Sequence, residues 1–350
     1  MLALTLATTI HIGVLGSLHP THLEVRPALH SALVVQTSEG SRTVNESEFA
    51  SISGPARITG PNGSFARFII CLPGGVEKEY YGRLEVRQHY YYLQMIVEMD
   101  REMAVASVLA AEGAGVLPPE ALRAQAVVAR SYMLAINGRH EGFDMCDSTH
   151  CQLLASPPNP TSAAVKAALD TRGEVLTYRN KIVPAMYSQN CGGRTKAFGS
   201  GGPGPDDYPF PSVECSRSGH ASGHGVGLCQ LGAMQMALAG AKAEEILAHY
   251  FPGTVLALPN GMRRPMLALP TSLHGKGIPA TAIPEVSKTR TLSRQSLAGP
   301  RASSSNAGGI NGGGANRGDI NVDTDGRGGS SAPGKFVPPT SRAPVHAAVS

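Results

Sequence analysis

The sequence predicts an α+β fold: a β-rich N-terminal part, a helix-containing core and a long tail without periodicity. Three observations lead there. Up to about Leu93, short β-branched and aromatic runs, such as residues 32–36 and 67–71, are separated by clusters of Gly, Pro, Asn and Ser. From Asp100 onward the apolar spacing changes to three and four. Beyond Leu256, Gly, Ser, Arg and Pro replace any pattern, and a segment of that composition buries too little surface to offset chain entropy. The expected boundaries are 9–95 for the β-rich part, 96–258 for the core and 265–350 for a disordered tail.

Residues 1–10 are apolar enough to be the end of a signal peptide. No Lys or Arg precedes Arg26 and no small-residue cleavage site stands out, so the expectation is a leader that is incomplete or missing, with the true start upstream. The β-rich part carries no constellation with obvious chemistry and reads as a packing platform. In the core, Met103, Ala106, Leu109 and Ala110 mark a helix with Asp100 as its N-cap and Gly113 as its stop. A second helix starts at Pro119, with Glu120 at its positive end. Its apolar stripe is Leu122, Ala126, Ala129, Met133 and Ile136, ending at Asn137-Gly138.

A loop rich in Cys and His follows, then a short helix over residues 162–170. Strands are expected over 174–178 and 182–188, joined by the turn Arg179-Asn180. After Cys191-Gly192-Gly193 and a Gly/Pro-rich loop to Pro211, two more helices are expected over 230–239 and 243–250. The net charge of +4 comes without Lys/Arg blocks or aromatic-basic interleaving, so nucleic acid is not an expected partner. No apolar run approaches the roughly 20 residues of a membrane span.

Five segments, in order, carry a resemblance. They are Pro118-Pro119-Glu120-Ala121-Leu122-Arg123-Ala124-Gln125-Ala126-Val127-Val128-Ala129-Arg130-Ser131-Tyr132, Cys146-Asp147-Ser148-Thr149-His150-Cys151-Gln152, Thr171-Arg172-Gly173-Glu174-Val175-Leu176, Cys191-Gly192-Gly193-Arg194-Thr195, and Gly223-His224-Gly225-Val226-Gly227 through Gln230-Leu231-Gly232-Ala233. Together they resemble the SpoIID/LytB family (stage II sporulation protein D and the amidase enhancer) over about half the chain. The resemblance implies a SpoIID-like core that cleaves peptidoglycan glycan strands lacking stem peptides as a lytic transglycosylase. The alternative it implies is a non-catalytic wall-binding module that enhances a cell-wall amidase. Either implies a place in the cell envelope or outside the cell.

The family's acid precedes its Glu-Ala-Leu helix start, and the Glu in register here is Glu112. A carboxylate in the last turn of a helix faces the negative end of the macrodipole, which disfavours its charge and suits a general acid. The bland alternative is a solvated helix-end carboxylate. Glu120, at a helix N-terminus, has its charge stabilised and reads as capping. No second carboxylate stands beside Glu112 in the sequence; a transglycosylase needs none, because the sugar's own 6-hydroxyl closes the ring, whereas an ordinary hydrolase needs two.

His140, Cys146, His150 and Cys151 offer two imidazoles and two thiols within a dozen residues. Structural zinc, a Cys146–Cys151 disulfide and free thiols all remain open, and some members of the resembled family bind zinc through such a loop. Tyr187, Ser188 and Gln189 sit at a strand end. By resemblance Tyr187 lines the active groove as a catalytic partner, with Ser188 and Gln189 binding substrate; the alternative for Tyr187 is a half-buried strand tyrosine. His224, between two glycines, and Gln230 are candidate contacts to glycan hydroxyls, against a His packed in a tight turn. Cys215 and Cys229 depart from the family pattern and could pair as a disulfide in an oxidising compartment. The family carries a Trp after its Cys-Gly-Gly turn, whereas this chain has none, leaving Phe198, Tyr208 or Phe210 to stack on sugars. A third reading, a metal- or thiol-dependent hydrolase pairing Cys191 with His224, has no sequence signal that orients the imidazole toward the thiol.

Overall fold

Strict alternation in residues 66–72 turns Ala66, Phe68, Ile70 and Leu72 inward, and the same period-two logic builds the first half of the protein as sheet. The computed structural model describes residues 8–265, except 29–30, 114, 137, 199–207, 217–218 and 259–261. The tail expected at 265–350 lies, past Pro265, outside the described residues. Strands β1 (Thr9–Val14), β2 (Leu23–Pro27), β3 (Leu33–Thr37), β4 (Gly40–Val44), β5 (Ala50–Ile52), β6 (Ala56–Thr59), β7 (Ala66–Leu72), β8 (Val76–His89) and β9 (Tyr92–Asp100) come first. They join in one sheet by antiparallel pairing.

β8 changes partners midway. Its first half pairs with β7 and its second half with β6 and β9. The switch falls at Gly82, where a Cβ would lie 2.2 Å from the Glu98 carbonyl oxygen, so only glycine allows the strands to cross that closely.

β9 runs straight into helix α1 (Arg101–Ala111). Asp100 caps it, accepting hydrogen bonds from the Glu102 and Met103 amides at 2.9 and 3.2 Å. The expected boundary near residue 95 therefore falls inside a strand, and one apolar core joins the sheet to the helices. α1 is buried nearly all round, which explains why its apolar stripe is only weakly one-sided in sequence.

Helix α2 (Pro119–Ala135) has two apolar faces. Leu122, Ala126, Ala129 and Met133 pack into the core with the sheet, while Ala121, Ala124, Val127 and Val128 enter a second core. β10 (Met145–Cys146) then lies parallel to β1 and completes ten strands in the large sheet. Helix α3 (Ala163–Asp170), capped by the Ser162 hydroxyl, leads to β11 (Val175–Tyr178) and β12 (Lys181–Ile182). Arg179 and Asn180 both have positive φ, the turn that a two-residue hairpin requires.

β13 (Tyr187–Ser188) and β14 (Leu228–Cys229) form a short parallel pair. Helices α4 (Gln230–Leu238) and α5 (Ala243–Tyr250) follow, then β15 (Val255–Ala257) and β16 (Arg263–Pro265), which extend the β11–β12 sheet. The second core, under these elements, includes Tyr208, Phe210 and Phe251. Among the described residues no helix is long and apolar enough to cross a membrane.

A buried ion pair ties the helices together. Arg130 has no exposed surface and Glu102 is 3% exposed. The guanidinium donates to both Glu102 oxygens, to the Ala168 carbonyl at 2.9 Å and to the Glu174 carbonyl at 3.1 Å. Glu102 also accepts from the Gly173 amide at 3.3 Å. One pair thus links α1, α2, α3 and the turn into β11. Arg130→Met is expected to lower unfolding free energy by about 3–5 kcal/mol, because Glu102 is left charged and buried. Arg130→Lys should recover little, since an ammonium cannot reproduce the planar fork. Urea unfolding monitored by circular dichroism checks both.

Candidate functional site

Glu112 stands at the C-cap of α1, its amide donating to the Val108 carbonyl at 3.0 Å, and Gly113 takes the positive φ that ends the helix. The side chain turns inward and is half-buried. Two neutral groups meet it: the Gln230 amide donates to Oε2 at 3.3 Å, and the Tyr187 hydroxyl donates a second hydrogen bond. Burial raises the Glu112 pKa above its ordinary value; the bonds from Gln230 and Tyr187 pull it down, and burial wins. No other charged group takes part in that balance.

Tyr187 and Gln230 arrive from segments far apart in the chain. β13 carries Tyr187 beside Leu228 of β14, and Gln230 opens α4 directly after β14. The approach is close: a Cβ on Gly227 would lie 2.1 Å from the Met186 carbonyl oxygen, so the glycine lets the two backbones cross and brings Gln230 to Glu112. The Leu231 amide donates to the Gln189 carbonyl at 3.1 Å and fixes the register. Burial, then the Glu112 charge, pushes the Tyr187 phenol well above its ordinary pKa, so it stays a donor.

The other expected contacts divide. Gln230 is 5% exposed and spends its amide on Glu112, so it acts on the carboxylate and is not an open sugar contact. Ser188 faces the opposite way from Tyr187, as strand alternation demands, and its hydroxyl is sealed from solvent beneath Gly223. It is correspondingly not a groove residue. Gln189 is exposed. His224 is open to solvent, yet its Nδ1 accepts from the Val226 amide at 3.0 Å and the ring also bonds the Tyr187 backbone. The imidazole therefore braces the strand that carries Tyr187, and partial burial keeps its pKa low and the ring neutral. Tyr208 and Phe210 are core residues, with the Tyr208 hydroxyl on the Pro252 carbonyl at 3.0 Å; Phe198 alone of the three stays exposed.

Gln152 is a site residue that the sequence reading passed over. It is 4% exposed, its amide sits at the Tyr187 hydroxyl, and neither amide atom has a well-formed partner among the described residues. Its place in Cys146-Asp147-Ser148-Thr149-His150-Cys151-Gln152 was the available signal.

That segment is held by the sheet. Asp147 accepts from Lys78 Nζ and the Tyr80 hydroxyl, each at 2.8 Å, and from the Leu15 amide at 3.2 Å. The donor atoms of His140, Cys146, His150 and Cys151 lie within 4.8 Å of one another. His140 Nε2 is 3.1 Å from Cys151 Sγ, and His150 Nδ1 is 3.6 Å from Cys151 Sγ and 3.7 Å from Cys146 Sγ. Bond lengths of about 2.3 Å to sulfur and 2.0–2.1 Å to nitrogen give a tetrahedron with edges of roughly 3.3–3.8 Å, so this donor set suits one four-coordinate ion. His140 is steadied by stacking on Phe143, whose ring fills the space a Cβ on Gly13 would need. No disulfide joins any of the six cysteines. Cys146 is lowered to about 4, first by its hydrogen bond with Cys151, whose own thiol is pushed up.

The Glu112 shift has a signed consequence for stability. The folded protein holds a proton that the unfolded chain releases near the ordinary value of 4.5, so stability is full below that pH and falls as pH rises through the raised value. Glu112→Gln removes the penalty. The variant should match wild type below the ordinary value of 4.5, gain on it as pH rises to the raised Glu112 value, and keep a constant lead above that, as thermal unfolding across pH would show.

A model of the family described as stage II sporulation protein, SpoIID, matches residues 90–178. An uncharacterised protein of Brachyspira hyodysenteriae is 32% identical over 120 residues, covering 33% of this chain and 33% of that protein, so the chain matches about a third of its relative's length. The family match contains Glu112, the Cys/His loop and Gln152; Tyr187 and Gln230 lie beyond it. Residues 90–178 thus carry a SpoIID domain, and the family of that domain is associated with cell-wall lysis.

Proposed function

We propose that this protein cleaves peptidoglycan glycan strands lacking stem peptides as a lytic transglycosylase, with Glu112 as the general acid, working in the cell envelope or outside the cell. The observation that carries the reading is a half-buried carboxylate with a raised pKa, met only by an amide and a phenol. Protonated Glu112 donates its hydrogen to the glycosidic oxygen, and the bond from that oxygen to the anomeric carbon breaks. The 6-hydroxyl of the muramic acid sugar bonds to the anomeric carbon, and its proton passes to the Glu112 carboxylate. One carboxylate serves in turn as acid and base, so no second is required. Tyr187 and Gln230 hold the Glu112 oxygens in place, and the buried Gln152 amide backs the Tyr187 hydroxyl.

The donors of His140, Cys146, His150 and Cys151 would hold zinc as a closed structural site. Bound there, the ion would cross-link the loop and supply no reacting group. The chain itself then presents Gln152, next to Cys151, at Tyr187. Cys146→Ser is expected to lose one equivalent of zinc per chain and to lower the melting temperature, measured by elemental analysis and calorimetry.

Digestion of peptide-free glycan strands tests the main reading. Wild type should release anhydro-ended fragments, detected by mass spectrometry, and Glu112→Gln none. Equal release by both, or strand binding with no release and stimulation of an added amidase, would remove the enzymatic reading. Tyr187→Phe should slow cleavage about 10- to 100-fold, since a hydrogen bond to a charged group contributes about 1.5–3 kcal/mol. It should also move the alkaline limb of the pH profile upward, because the bond from Tyr187 lowers the Glu112 pKa.

A further inference from the structure

Cys191, Cys215 and Cys229 converge from three separate segments. Cys191 opens the Cys-Gly-Gly turn, Cys215 lies in the loop before the glycine-flanked His224, and Cys229 ends β14. Their sulfurs lie within 4.8 Å of one another, with Cys191 and Cys229 buried and Cys215 half-buried. No disulfide joins any two of them.

Backbone groups surround the sulfurs, and the Cys229 thiol is also placed to donate to the Gln189 carbonyl at 3.8 Å. Cys229 Sγ accepts from the Cys191 amide at 3.3 Å and the Gly232 amide at 3.4 Å, the latter in the first turn of α4. Cys191 accepts from the Gly193 amide two residues on. Cys215 Sγ is 3.4 Å from the Tyr250 hydroxyl. Amide donors on sulfur delocalise thiolate charge, the role that outer hydrogen bonds play around ligands of a bound ion. Space is also reserved: a Cβ on Gly232 would lie 2.4 Å from Cys215 Sγ and 2.1 Å from Tyr250 Oη, so a glycine interrupts the helix where the sulfurs need room.

We infer that Cys191, Cys215 and Cys229 form a second metal site, specific for a single thiophilic closed-shell cation, zinc(II) or copper(I). Three sulfurs without imidazole or carboxylate select a soft ion. At a metal–sulfur distance of about 2.3 Å, trigonal or tetrahedral placement separates the sulfurs by roughly 3.8–4.0 Å, within small side-chain shifts of the arrangement seen. Binding releases the thiol protons to solvent as the metal–sulfur bonds form, and no electron changes hands. The ion would clamp the Cys-Gly-Gly turn to the start of α4, fixing Gln230, the residue after Cys229, on Glu112. The inference does not rest on the proposed glycan cleavage.

The test uses the full chain, reduced under anaerobic conditions, incubated with zinc sulfate or a copper(I)–acetonitrile complex, and desalted. Elemental analysis should find one more equivalent of zinc or of copper in wild type than in Cys215→Ser, whatever the His140 cluster holds, and the metal retained distinguishes the two ions. Alkylation of wild type gives a second reading without substitution: Cys215 should be labelled with chelator present and protected when metal is bound. If Cys215→Ser fails to fold, that labelling decides alone. Cys215 labelling indifferent to both metals, or a disulfide among the three sulfurs that persists where metal should bind, would overturn the inference.

Discussion

The buried pair of Arg130 and Glu102 is the constraint on which the rest of the structure depends. A charge with no solvent access is tolerated only when every donor has a partner, and the guanidinium finds its partners on α1, α3 and the approach to β11. These elements can therefore pack in few other ways. The end of α1, where Glu112 sits, is placed relative to α2 by this network. Arg130 lies on the same helix that forms the wall between the two apolar cores.

From that scaffold the site follows as opposed tendencies held in balance. Burial at the end of α1 drives Glu112 toward its protonated form, while Tyr187 and Gln230 moderate the shift and fix the carboxylate's direction. Neutral donors suit this purpose. A lysine or arginine in the same place would hold the proton off at physiological pH, and a second carboxylate would make a shared-proton pair with two titrations.

Two sulfur-containing clusters adjoin the segments that meet Glu112. The His140, Cys146, His150 and Cys151 loop carries Gln152 to Tyr187, and Tyr132 lies between that loop and Tyr187. The cluster of Cys191, Cys215 and Cys229 underlies the turn after β13 and the start of α4. Residues that touch Glu112 are short of room to move because their neighbours in sequence are anchored. The missing tryptophan leaves exposed Phe198 as the aromatic available near the Cys-Gly-Gly turn, since Tyr208 and Phe210 are used to fill the second core.

The sequence by itself determined the α+β class, the positions of the five helices and the cap of α1, because these depend on neighbours a few residues apart. Asp100 caps α1 through its own next amides, and Arg179-Asn180 turns through its own dihedrals. One stripe of α2 was legible for the same reason; its second face was not, since a helix buried on two sides shows no single apolar phase. Only the tertiary structure decided that Gln230 serves the carboxylate, that Ser188 and His224 brace the backbone, and that Gln152 reaches Tyr187. Those contacts join residues more than thirty positions apart, as with Gln230 and Glu112. Local propensity is silent about such pairs, and the packing of helices against sheet sets the distance between them.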